Sequence, residues 1–139
     1  CEEDRRAALA ALADGTIDLL SSGHDPRGPE EKRLPFVDSS PGASGAETLL
    51  AIALGIARDE GIALDRLFAL LARNPARVLG VDAGRLTPGA PGDVILIDDQ
   101  APWLIDAERM AGKAGNTPFD GLPVQGRVCR VFKGGREIG

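Results

Sequence analysis

Histidine occurs once in these 139 residues, tryptophan once, tyrosine not at all, and cysteine only twice. A structural zinc site draws four ligands from cysteine and histidine, and Cys1 and Cys129 stand at opposite ends without metal-ligand spacing. A zinc-finger module and a disulfide scaffold are therefore excluded, and a reducing cytoplasm is the expected compartment. No apolar run approaches the ~18–20 residues of a membrane-spanning helix. Basic charge is also short: 16 lysines and arginines against 21 acids leave a net charge of −5. That balance offers no basic stripe for a phosphate backbone, so neither nucleic acid nor a membrane is an expected partner. The length suits one domain or part of a larger one, and a complete eight-stranded α/β barrel of roughly 250 residues cannot fit. The chain opens on Cys1 without a methionine or targeting segment, which suggests a processed or cut piece.

What is abundant is glycine and proline, 18 and 10 residues, gathered in three stretches, 23–45, 80–92 and 112–126, that read as loops. Between them the pattern is periodic. Glu2-Glu3-Asp4 ahead of an alanine and leucine run, stopped by Asp14-Gly15, predicts a helix over 2–13. Thr16 to Ser21 then reads as a short strand. Ala46 to Ala57 is apolar on nearly every side and predicts a buried helix, with Glu47 as a first-turn acid complementing the helix dipole. Leu64, Leu67, Phe68 and Leu71 mark a further helix that Asn74-Pro75 should interrupt, with Asn74 capping a short successor that ends at Gly80. From Gly84 the period changes: Asp93–Asp98 and Arg127–Lys133 read as strands, and Gly134-Gly135 as a two-residue hairpin turn. The chain is thus α/β up to a boundary near Val81 and mostly β beyond it.

Few residues are candidates for chemistry. His24 follows the expected strand in Ser22-Gly23-His24-Asp25-Pro26-Arg27, where catalytic groups of α/β folds commonly sit, although the same residues also suit a plain turn. Pro41-Gly42-Ala43-Ser44-Gly45 either presents backbone N–H groups to an anion at the following helix or merely permits a turn. Arg73, Arg77, Arg127 and Arg130 read as solvated or paired, and Cys129 as a small buried apolar side chain.

These segments taken together resemble the dihydroorotases of the amidohydrolase superfamily. The resemblance runs through Asp14-Gly15-Thr16-Ile17-Asp18, His24-Asp25-Pro26, Lys32-Arg33-Leu34-Pro35-Phe36, Pro41 to Thr48 and Asn74-Pro75-Ala76-Arg77. Gly84 to Asp93 is similar to the segment by which amidohydrolases return to a small β-domain. Asn116-Thr117-Pro118-Phe119 followed by Gly126-Arg127-Val128 is narrower and resembles the C-terminal dihydroorotase pattern. The fold this implies is the last strand and helices of a metal-dependent TIM-like (β/α)8 barrel over 1–80. Residues 81–139 would be the C-terminal part of a β-sandwich. The implied activity is the reversible hydrolysis of dihydroorotate to carbamoyl aspartate in pyrimidine biosynthesis. Zinc is the family's metal, but its paired histidines and carboxylated lysine would lie upstream, so no metal ligands and no cofactor are expected of this chain alone.

The resemblance also locates a departure. The family's last strand carries Asp-His-Ala-Pro-His, whose aspartate binds metal and acts as general base and whose second histidine helps hold the substrate carboxylate. Matching His24 and Pro26 places Gly23 at the aspartate and Arg27 at the second histidine. Glycine cannot take a proton, and loss of a general base removes ~10²–10⁴-fold in rate. Arg27 can still grip a carboxylate. Asp25 is the one possible replacement base, ~6–7 Å further along an extended strand. His24, Arg27, Pro41 and Gly42 are the expected substrate-binding residues. Sequences of this kind resemble the non-catalytic dihydroorotase-like partners of aspartate carbamoyltransferase. The expected partners are accordingly the remainder of the same protein, that transferase and a second copy of the chain.

Overall fold

The computed structural model describes residues 1–138. Helix α1 spans Glu2–Asp14 and closes at Gly15, whose φ of +94° supplies the left-handed cap. Its first turn is acidic, and Glu2 receives both Arg5 and Arg6, one turn on. Only Leu12 is buried, so α1 lies on the surface.

Residues 16–21 do not form the expected strand. They run without a ladder and are fastened to helices instead: Leu20 N–H donates to the Leu70 carbonyl at 3.0 Å, and the Arg66 guanidinium to the Ile17 carbonyl at 2.9 Å. A strand requires a neighbouring strand to satisfy its backbone, and among the described residues none lies beside it. The single bridge in the region joins His24 to Ala43.

A short α2, Pro29–Lys32, leads to α3, Leu49–Asp59, which begins three residues later than its apolar pattern suggests. Ala51, Ala53, Leu54 and Ala57 are buried on it, and Ala53, Leu54, Ala57 and Leu67 form the centre of the core. Helix α4, Leu64–Phe68, does not break at Asn74-Pro75. A π-helical turn over Ala69–Arg73 carries it into α5, Asn74–Leu79. Wider i→i+5 bonding is the register in which a helix absorbs a residue without an N–H such as Pro75. Asn74 is buried and does not cap: its Nδ2 donates to the Asp18 carbonyl at 2.6 Å, tying α5 to the 16–21 segment. Gly80, φ +68°, ends the helix as expected.

Three antiparallel strands follow in the order β1-β2-β3: Val94–Leu104, Pro123–Lys133 and Arg136–Ile138. β1 is longer than its β-branched run because a bulge after Asp98 lets it continue, the Asp98 carboxylate accepting from the N–H groups of Gln100 and Ala101. Pro102 is tolerated there because β1 is an edge strand. Gly134 and Gly135, both at positive φ, make the expected hairpin turn. Cys129 is exposed, contrary to expectation, as is most of β2. The sheet meets α3 where Leu54 packs on Gly126, a position with no room for a side chain.

Candidate functional site

The structure brings His24, Asp25 and Arg27 against Pro41 to Ala46, two loops joined by the His24–Ala43 bridge and by Asp25 N–H donating to the Ala43 carbonyl at 2.9 Å. His24 Nδ1 accepts from the backbone N–H groups of Gly45 and Ala46, each at 3.2 Å. Nδ1 is thereby the acceptor nitrogen, and the neutral ring carries its proton on Nε2. Ser44 N–H donates to the Asn116 carbonyl at 2.9 Å. The N–H groups of Ser44 to Ala46 are thus satisfied within the protein and not turned toward an anion. Close approach requires two of its glycines. A Cβ on Gly42, φ +113°, would stand 2.5 Å from the Asp25 carbonyl oxygen, and one on Gly45 2.5 Å from that of Ser22.

Arg27 is half-buried and two of its five N–H donors are committed. Nε donates to the Pro41 carbonyl at 3.0 Å and NH2 to Asp25 Oδ2 at 2.9 Å, while NH1 stands 3.9 Å from Glu31 Oε1. The two charged candidates therefore neutralise each other. Gly23 lies at φ +56° with open space where a side chain would begin.

Two contributors escaped the sequence reading. Asn116 joins both loops: its Oδ1 accepts from the Arg27 N–H at 3.3 Å and its Nδ2 donates to the Gly42 carbonyl at 3.1 Å. Lys32 Nζ donates to the carbonyls of Ser40 at 2.9 Å and Gly42 at 3.3 Å. Glu47, expected as a first-turn acid, instead precedes α3 and accepts from the N–H groups of Ala111 and Gly112 at 3.0 and 3.1 Å. Partners 64 to 89 residues apart leave no local pattern, so only the family motifs that contain Lys32 and Asn116 were visible, not their roles.

A catalytic zinc takes about three protein ligands. Among the described residues no group of three or more His, Cys, Asp or Glu is placed to hold a metal ion. With Gly23 lacking a side chain and His24 Nδ1 taken by two backbone donors, these residues do not compose such a site by themselves. A cleft of about 660 Å³ lies elsewhere, between α4 and β1, walled by Phe68, Ala72, Leu86, Ile95 and Ile97. No helix is long and apolar enough to cross a membrane among the described residues.

The α/β architecture and its sequence place this chain in the amidohydrolase family, whose profile matches residues 1–138. Within it, the curated relatives are named dihydroorotase. That of Desulforapulum autotrophicum is 41% identical over 99% of this chain and 32% of its own length, and that of Geobacter metallireducens 38% identical over 98% and 32%. The chain thus spans about a third of the relatives it matches. Among solved structures, a D-hydantoinase superposes with a TM-score of 0.88 at 24% identity, covering 99% of this chain and 32% of that one. The L-hydantoinase (dihydropyrimidinase) of Arthrobacter aurescens gives 0.86 at 28%, covering 95% and 31%.

Proposed function

We propose that this chain is the C-terminal portion of a dihydroorotase-like cyclic amidohydrolase, with residues 1–80 closing a TIM-like barrel and 81–139 contributing to a β-sandwich. In that reading the protein is the non-catalytic variety, a structural partner of aspartate carbamoyltransferase in cytoplasmic pyrimidine biosynthesis. Zinc, where bound, would be held by upstream residues.

The observation that carries the reading is the state of the two positions that could supply a base. Hydrolysis of a cyclic amide needs a group that takes a proton from the attacking water at hydrogen-bond distance. Gly23 has none to offer. Asp25 directs its carboxylate to Arg27, whose NH2 donates to Oδ2 at 2.9 Å, so that oxygen is turned to the guanidinium and not to a water. His24 offers only Nε2–H, a donor. What remains to meet a carboxylate-bearing small molecule is His24 Nε2–H and the Arg27 N–H groups not drawn to Pro41 and Asp25, beside Pro41 and Gly42, without the means to activate water.

The test is dihydroorotate hydrolysis by the intact protein supplied with zinc. Negligible turnover is expected, unchanged by Asp25→Asn, with Gly23→Asp the substitution that regains measurable rate. Activity that falls ~10²-fold or more in Asp25→Asn would make Asp25 the base and the protein an enzyme. Robust turnover indifferent to Asp25 would defeat both readings. Co-elution with aspartate carbamoyltransferase tests the partnership.

A further inference from the structure

We infer that Asn116 and Arg27 are positioning residues that lock the two site loops together through this chain's own hydrogen bonds, in place of organisation by a metal; this rests on the proposed reading of those loops as the site. A loop around a metal centre is ordinarily ordered by its ligands, whose side chains converge on the ion. Here the convergence is on Arg27 and Asn116. The guanidinium spans the Pro41 carbonyl and the Asp25 carboxylate, crossing from one loop to the other. Its own backbone N–H is fixed from a third segment by Asn116 Oδ1, and the Nδ2 of the same amide holds the Gly42 carbonyl. Ser44 closes the knot, donating its N–H to the Asn116 carbonyl at 2.9 Å and its Oγ–H to the Ala114 carbonyl at 2.6 Å.

Every one of these partners is supplied by residues 25–44 or 114–116, and all but the Asp25 carboxylate lie outside the Cys, His and carboxylate set that zinc draws on. Asn116 is suited to the task because it offers an acceptor and a donor on one planar group. Aspartate of the same shape keeps only the acceptor.

Amide hydrogen exchange of the intact protein tests the inference. Two hydrogen bonds of ordinary net strength imply that Asn116→Ala raises exchange at Arg27 roughly tenfold. Asn116→Asp should keep Arg27 protected, through the retained oxygen, while loosening residues 41–44; a merely structural loss would move both regions together. Exhaustive chelation should leave exchange across residues 24–46 unchanged. Deprotection on chelation comparable to that of Asn116→Ala would overturn the inference, as would wild-type exchange at Arg27 in Asn116→Ala. If Asn116→Ala fails to fold, Arg27→Lys, which keeps charge but loses the fork, must still loosen residues 41–43. Hydrolytic activity is a separate readout: an active wild type would overturn the functional proposal without altering the exchange result.

Discussion

His24 Nδ1 lies 3.2 Å from the backbone nitrogen of Gly45, and the imidazole accepts that N–H together with the one from Ala46. The lone histidine is thereby the link between the end of the 16–24 segment and the turn into α3. Gly45 is buried, so its N–H has no ready alternative in water.

His24→Ala should therefore destabilise by about 1–3 kcal/mol, the usual range for stranding a buried donor. His24→Asn places Oδ1 two bonds from Cβ, as Nδ1 is, and should recover most of that loss, whereas Gln, one methylene longer, should not. Denaturant midpoints of the three variants decide it. Equal loss in Asn and Ala would mean that the ring's packing matters and its nitrogen does not.

At the junction of sheet and helix, an added Cβ on Gly126 would run into Leu54 Cδ1, and the backbone there has φ +110°. Gly126→Ala should cost about 2–4 kcal/mol, combining backbone strain with overpacking against a side chain that is itself buried. Leu54→Ala alone should cost ~2–5 kcal/mol through its cavity. The double variant should be less destabilised than the sum, because the smaller side chain relieves the collision. Strict additivity in equilibrium unfolding would show that the two residues do not meet.

Asp93 governs the response of the sheet's hairpin end to acid. Its carboxyl is held below its ordinary value of 3.8, first by the Lys133 ammonium and then by the Gly134 N–H, which donates at 2.8 Å. A carboxylate with a lowered folded-state pKa adds stability at pH values above its ordinary pKa and loses it as pH falls through the lowered one. Acid titration should release the turn only below the ordinary aspartate range, seen as rising exchange at Gly134. In Asp93→Asn that pH dependence should vanish. Release of the turn near neutral pH would contradict the assignment.

Some of the architecture was written locally. The acids of Glu2 to Asp4 and the left-handed Gly15 specify both ends of α1 without help from any other segment. The paired glycines 134 and 135 dictate a turn that only residues tolerant of positive φ can make. The unbroken apolar stretch of α3 announced a helix surrounded by partners, and the Asn116 motif pointed to the family. Likewise Gly23, a missing side chain, was legible as such from the sequence.

Tertiary structure decided the rest, because it decides which backbone groups find partners. Thr16 to Ser21 had the composition of a strand but, among the described residues, no strand beside it, so α4, the π-helical turn and α5 take its backbone groups instead. Asn74 could have capped a helix; a carbonyl 56 residues away claimed its amide, while the π-helical turn absorbed Pro75. Glu47 turned from a helix terminus to the N–H groups of Ala111 and Gly112, and Cys129 stayed exposed on a mostly exposed strand. Asp25 and Arg27 are near neighbours in the sequence, but the grip of Arg27 on the Pro41 carbonyl, 14 residues on, was set only by the fold. Local sequence fixes the torsions each residue prefers, but hydrogen-bond and ion-pair partners 14 to 89 residues away are assigned only when the chain has closed on itself.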